Sequence, residues 1–391
     1  MRYTFPHYFD TFRCVAAECT DTCCAGWAIM IDEESLERYA NLEGSFGNRV
    51  KNSINWKEGS FQQYEKRCAF LNEDNLCDMH MFGGEQMLCD TCRNYPRHME
   101  EYEGLREGSL SLSCIEAAKI ILGCQEPVKF ITLEDETEDE EYEDFDFLLF
   151  TKLMDARDVV LEILQDRSLD VMSRIGIVLK LSQKIQEAID KEEYYKIDDL
   201  LAELKRDESY MSCLQALKQA NVSPNAYYTM FRKLLRSYKH LEVLKEDWPE
   251  YLKKAEWSLY SDGQATYEEK RKRFHKDIET DNYEVWSNCI EQLIVYFIYV
   301  YFCGAVYDGE LLGVVHTAVT SVLVIRELIL ARWVQQGETL TFEDIVDVAH
   351  RYSREVEHSD INLGRLEKIL TENELFSVEN ILKSLCHDLS W

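Results

Sequence analysis

The chain has 391 residues, enough to bury a sizeable core without disulfide staples and to divide into two or three domains. Its 43 Lys and Arg stand against 73 Asp and Glu, giving a net charge of -30. A field of that sign repels nucleic-acid phosphates and anionic lipid, so neither is expected as a partner; solubility is the plain reading of the excess acid, and a basic substrate the sharper one.

In chain order, the opening segment MRYTFPHYFDTFRC mixes charged, aromatic and polar residues with no apolar run, so a cytosolic location is expected. Ten of the fourteen cysteines then fall between Cys14 and Cys124, while Cys213, Cys289, Cys303 and Cys386 lack motif spacing. In a reducing compartment such density points to metal binding or catalysis before disulfides or unconnected buried thiols. CVAAECTDTCC brings Cys14, Cys19, Cys23 and Cys24 into eleven positions. After it, Trp27 to Ile31 suits a short strand, and Asp32 can cap a helix. CAFLNEDNLCDMH, residues 68–80, reads as a hairpin that draws Cys68 and Cys77 together. GGEQMLCDTCRNYPR, residues 83–97, offers a tight turn and a short helix that carries Cys89 and Cys92 on one face and ends near Pro96. Cys114 stands just before another helix. Several local structures thus each present one or two thiols, as they would if they shared an ion or a cluster. Four thiolates suffice for zinc or for iron-sulfur, and the spacing leaves both open. Adjacent Cys23 and Cys24 project differently, so one ligates while the other packs or joins a second centre.

LEDETEDEEYED, residues 133–144, carries like charges that resist packing and reads as a solvated linker. The expected architecture is mainly α: a small mixed α+β cysteine-rich metal-binding domain over 1–130, an acidic linker over 131–144, and a larger all-helical domain over 145–391. In that second part Leu293 to Tyr307 and Leu311 to Ile325 each run fifteen residues with no acidic or basic side chain other than His316. At about 1.5 Å per residue each covers roughly 22 Å, short of a bilayer's ~30 Å, so a buried helical hairpin is expected, with His316 a core histidine. TFEDIVDVAHRYSREVEH, residues 341–358, is the clearest amphipathic helix, capped by Thr341 with Asp344 three residues on. Tyr352 lies on its apolar stripe. Glu355 and His358, three apart, can meet; they could take a proton from an ammonium or simply make an interhelical hydrogen bond.

At these residues the chain resembles a known family. FRC at 12–14, CTDTCCAGW at 19–27, CAFL at 68–71, LC at 76–77, TCRNYPR at 91–97, LSC at 112–114 and YSREVEHSDIN at 352–362 are similar to the flagellin lysine-N-methylases. A shorter form of the cysteine signature also occurs in a broader group of zinc- or iron-chelating domains. The resemblance implies a bacterial, cytoplasmic, S-adenosylmethionine-dependent methyltransferase that acts on lysine side chains of flagellin and carries a [4Fe-4S] cluster. It marks Cys14, Cys19, Cys23, Cys24, Cys68, Cys77, Cys92 and Cys114 as motif cysteines, with Cys89 an extra. For a single cluster the first choice of ligands is Cys19, Cys23, Cys68 and Cys92, followed by Cys24 and Cys77. Tyr95 and Arg97 are candidates for cofactor contact or for buttressing the cluster, and Tyr352, Glu355 and His358 for catalysis. The CxxxCxxC spacing of radical enzymes is missing, so the cluster is expected to organise the fold or sense redox state. No glycine-rich turn follows a strand, so the cofactor would sit on an unfamiliar scaffold, in a cleft between the cysteine domain and the helices. The alternatives are a non-enzymatic iron-sulfur or zinc protein that binds or regulates a basic partner, and an electron carrier.

Overall fold

The computed structural model describes residues 1–135, 142–204 and 223–388. The chain is mainly α, with a few small sheets. It opens with β1 (Arg2–Pro6). The cysteine-bearing stretch follows with α1 (Glu33–Ala40) and α2 (Gly44–Asn52). Two minimal pairs come next, β2 (Ile54–Asn55) with β3 (Ser60–Phe61) and β4 (Gln63–Tyr64) with β5 (Arg67–Cys68), then α3 (Asp78–Gly83) and α4 (Asp90–Asn94). As expected, Asp32 caps α1 by accepting the Ser35 N–H at 2.8 Å. Trp27 to Ile31 form no strand. The two-residue β3 is too short for a ladder, so the segment is pinned by single bonds, Phe61 N to Ile29 O at 3.0 Å and Ile31 N to Gly59 O at 2.7 Å. The 68–80 segment does turn back, with Leu71 opposite Cys77, but Cys77 then starts α3 where a second strand was expected.

A mixed four-stranded sheet connects this stretch to the rest. Its order is β6 (Arg97–Tyr102), β7 (Leu105–Leu110), β1 and β8 (Phe130–Glu134), with β1 parallel to β7 and antiparallel to β8. Every residue of β7 is buried, so it shows no inside-outside alternation. The buried Glu107 on that strand meets a buried arginine, Arg157, through both guanidinium nitrogens at 2.5 Å. Leu133 and Glu134, the start of the acidic stretch, are paired with Tyr3 and Arg2; its central residues 136–141 lie outside the described residues. Between β7 and β8 runs α5 (Ile115–Gly123).

Helices make up the remainder: α6 (Phe147–Leu164), α7 (Val171–Ile189), α8 (Tyr195–Leu204), α9 (Pro224–Ser237), α10 (Trp248–Tyr260), α11 (Gln264–Lys276), α12 (Tyr283–Tyr301), α13 (Leu311–Gln335), α14 (Phe342–Tyr352), α15 (Asp360–Glu372) and α16 (Val378–Asp388). The capping box of Thr341 and Asp344 starts α14. The apolar hairpin is α12 with α13. By length and hydropathy both could cross a membrane, yet 89% of each apolar window is buried inside the protein. His316 on α13 is buried, and burial pushes its pKa down to about 4, so it packs uncharged at neutral pH.

The described residues form two hydrophobic cores. One is formed by the helices together with residues 8–12, the sheet and α5; the other is a small core of Ile29, Ile31, Tyr39, Val50, Ile54, Phe61, Phe70 and Met79 within the cysteine-bearing stretch. Residues before 12 and after 96 therefore pack with the helices, so the separate small core is narrower than residues 1–130.

Candidate functional site

Segments more than 300 residues apart in sequence meet at one interface. The loop 19–27, the end of α4 with Tyr95, the Ser111 to Cys114 turn, and the 352–362 segment all converge there. A π-helix over Ser353–Glu357 prolongs α14 and supplies the C-terminal side. Ser353, Arg354, Glu355 and Val356 are all buried in it.

Arg354 is the keystone. It is 1% exposed, stacks over the Trp27 ring at 4.2 Å from the centroid, and donates to the carbonyls of Thr22 at 2.8 Å and of Ala25. It also pairs with Asp21 at 3.1 Å. Asp21 further accepts from His350 Nε2 at 2.8 Å and from Lys245 Nζ. Burial alone would raise the Asp21 pKa, but His350, Arg354 and Lys245 outweigh it and hold the carboxyl well below the usual range. The cysteine loop is thereby locked to the helices through charge.

Tyr352 places its hydroxyl between Tyr238 at 2.9 Å and Ser321 at 2.8 Å, deep in the helical core. Glu355 is 2% exposed and accepts the backbone N–H groups of Leu244 at 3.0 Å and Lys245 at 2.6 Å, so it holds the loop before α10. His358 has an exposed edge and packs against Trp27 at 4.2 Å and Tyr95 at 6.0 Å. No hydrogen bond joins Glu355 to His358 among the described residues. Burial, helped by Arg354, pushes the His358 pKa down to about 4. Tyr95 bonds Ser113 at 3.1 Å and faces Trp27 at 5.7 Å. Arg97 turns the other way, over Phe9 and Phe12, and donates to the Phe12 carbonyl.

Sequence reasoning missed Glu357. Its carboxylate accepts from Tyr301 at 2.7 Å and from Tyr296 and Ser353. Burial raises its pKa, partly offset by those hydroxyls and by His98. The signal was in view, since Glu357 belongs to the YSREVEH segment.

The eight motif cysteines and Cys89 are all free thiols. Among the described residues no three Cys, His, Asp or Glu side chains converge tightly enough to grip a single ion. In donor chemistry the set suits a thiolate-bound metal or cluster. A hydrogen bond from Cys23, with Thr22 and the charge of Arg354 reinforcing it, outweighs burial and draws the Cys24 pKa down to about 7, while Cys114 accepts backbone N–H groups at the start of α5.

Burial raises the Glu355 pKa to about 7, against the two N–H groups that lower it. The folded value lies above the unfolded one of about 4.3, so the protonated form favours folding. This contribution, roughly 3 kcal/mol, is fully present below pH ~4 and fades as the pH rises through 7. Glu355→Gln should flatten the dependence of stability on pH between those limits. Urea titrations at several pH values check it, and an unchanged slope would refute the assignment.

The C-terminal part of this site lies within residues 157–384, which match the model of the FliB lysine N-methylase C-terminal domain. The chain belongs to the FliB lysine N-methylase family. Over 128 residues it is 30% identical to the flagellar biosynthetic protein FliU of Salmonella muenchen, covering 30% of this chain and 76% of that protein. It is also 30% identical over 128 residues to the lysine-N-methylases of Salmonella typhimurium strain LT2 and Salmonella choleraesuis strain SC-B67. Those matches span 32% of each of the two lysine-N-methylases. No solved structure matches.

Proposed function

We propose that this protein transfers methyl groups from S-adenosylmethionine to lysine side-chain nitrogens of a flagellar protein, with flagellin as the substrate. The observation that carries this reading is the meeting of the two signature segments, at 19–27 and 352–362, at one aromatic and acidic site in a chain whose helical part matches the FliB family. Lysine is protonated at neutral pH, with a pKa near ~10.4, and only the free amine can attack a methyl group. The rings of Trp27 and Tyr95 suit a cation, whether ammonium or sulfonium. Bound beside them, S-adenosylmethionine would supply an electrophilic methyl group. Glu357, its oxygens positioned by three hydroxyls, attracts the ammonium and accepts its proton, while His358, neutral at pH 7, closes the solvent edge without adding a repelling charge. The net charge of -30 favours approach of a lysine-bearing surface. We further propose that the motif thiols hold an iron-sulfur cluster, with zinc as the alternative, that organises the loop carrying Trp27, and that the protein works in the cytoplasm.

Intact-mass spectrometry of flagellin from the same bacterium, incubated with anaerobically purified protein and S-adenosylmethionine, tests the activity. Increments of single methyl groups that map to lysines and vanish without cofactor are expected. Glu357→Gln should slow the reaction about 10²-fold or more while the fold, followed by circular dichroism, persists. With metal retained and several lysine-rich targets tried, the absence of any increment would leave a non-enzymatic iron-sulfur or zinc protein that binds a basic partner.

A further inference from the structure

The four-stranded sheet ends at β6, which among the described residues pairs with β7 alone. That edge starts at the candidate site. Tyr95, which faces Trp27 and His358, precedes β6 by two residues, and at about 3.3 Å per residue Met99 lies roughly 13 Å further along the strand. The 301–307 segment runs from the same site beside β6: Tyr301 donates to Glu357 at 2.7 Å, and Tyr307 donates to the Glu101 carbonyl at 2.9 Å.

Register decides which backbone groups of β6 point away from the sheet. Arg97 stands opposite Leu110 and Met99 opposite Gly108, and the bond from Ser111 N to Pro96 O at 2.8 Å sets the phase. In an antiparallel pair alternate residues exchange both bonds with the neighbouring strand, and those between them turn their N–H and C=O outward. The outward residues are therefore Arg97, Met99 and Glu101. Tyr307 takes the Glu101 carbonyl, whereas among the described residues no hydrogen bond reaches the outward groups of Arg97 or Met99. Met99 is 43% exposed. Side chains alternate across the strand: Arg97 and Met99 lie on the Phe9 side, while His98 and Glu100 lie on the side where Tyr102 stacks on Tyr307.

An unpaired edge of this kind accepts an extended chain, and its charges select which one. Glu100 and Glu101 stand on β6 and Glu103 follows in the turn; His98 pairs with Glu100 at 2.6 Å and Arg106 with Glu101 at 3.4 Å, so acid remains in excess. A second copy of this edge would bring glutamates together, whereas lysines opposite them are favourable cross-strand partners.

Resting on the methyl-transfer reading, we infer that β6 is the substrate-docking edge: an extended, lysine-bearing segment of the flagellar substrate adds to the sheet on the outward groups of Arg97 and Met99, its target lysine leading toward Trp27, Tyr95 and Glu357. Main-chain bonds recognise an extended backbone of any sequence, and the acidic side chains add the preference for lysine. Alternate side chains of the added strand share the face of His98 and Glu100, so target lysines are chosen by extended conformation more than by the identity of their neighbours.

Hydrogen exchange of the full chain, resolved to single amides with and without saturating flagellin monomer, is the test. Exchange at Arg97 and Met99 should slow about tenfold or more on binding. Met99→Pro keeps the ladder to β7, because the Met99 N–H points outward, yet removes a donor to the added strand and should weaken flagellin binding about tenfold. Thr132→Pro makes the same change on β8, the opposite edge, where the bond from Asp135 N to Met1 O turns Thr132 outward, and should leave binding unchanged. No slowing at Arg97 and Met99 with saturating flagellin, or equal weakening by both prolines, would overturn the docking edge. So would slowing that needs no flagellin and grows with protein concentration, since a second copy would then hold β6. Neither readout requires methyl transfer: slowing without methylation upholds the edge and counts against the enzymatic reading, and methylation without slowing does the reverse.

Discussion

Replacing Arg354 with Ala should destabilise the protein by about 3–5 kcal/mol, the range for removing one partner of a buried charge network. The guanidinium is 1% exposed and is shared among the Asp21 carboxylate, the Thr22 and Ala25 carbonyls and the face of Trp27. Without it the two carbonyls lose their buried donor and the indole loses its stacking partner. Asp21 keeps His350 and Lys245, so the loop is loosened and not expelled. Lysine at this position restores the charge but not the planar fork, so Arg354→Lys should recover less than half of the loss. At about 1.2 °C per kcal/mol, from an unfolding entropy of about 2.1 cal/mol/K per residue over a chain of 391 residues, the alanine variant should melt roughly 4–6 °C lower. Thermal and urea unfolding followed by circular dichroism provide the measurement. A loss below about 1 kcal/mol would show that the loop does not depend on this contact.

A change of similar size is expected at a second buried charge network. Glu291 on α12 is 1% exposed and receives Arg174 at 2.6 Å and Arg167 at 2.7 Å, joining α12 to the start of α7 and the turn before it. Arg174 is fully buried, and among the described residues its Nε and Nη2 already lack hydrogen-bond partners. Glu291→Gln removes the compensating charge and leaves a buried guanidinium against neutral groups, which should be destabilising by about 3–5 kcal/mol. The double change Glu291→Gln with Arg174→Met should lose less than the single one, since no uncompensated buried charge remains. If the double variant is instead the less stable, the pair contributes more than its desolvation. Glu291 makes no hydrogen bond or ion pair with the 352–362 segment among the described residues, so methyl transfer by the folded fraction should be unchanged, which separates global stability from the effect of Arg354.

Much of the fold was readable because local patterns and tertiary needs agree. Thr341 with Asp344, Asp32 before α1, Cys114 before α5 and the apolar runs of the hairpin are short-range signals, and each element formed where they placed it. Trp27 to Ile31 misled because strand propensity is fulfilled only when a partner strand is long enough, and β3 has two residues. The expected contact of Glu355 with His358 assumed a regular helix. The π-turn changes the phase, sends Glu355 to the 244–245 backbone and His358 to Trp27, and brings Glu357 to Tyr296 and Tyr301.

By itself, then, the sequence determined the mainly helical class, the family resemblance, and a thiol-rich region suited to metal, since composition, periodicity and motif order are properties of the chain alone. Only the tertiary structure decided which residues share a site. Asp21 with Arg354 and Trp27 with His358 are contacts between segments whose approach is governed by burial and charge compensation in the folded state. Those terms depend on three-dimensional neighbours, and no spacing along the chain encodes them.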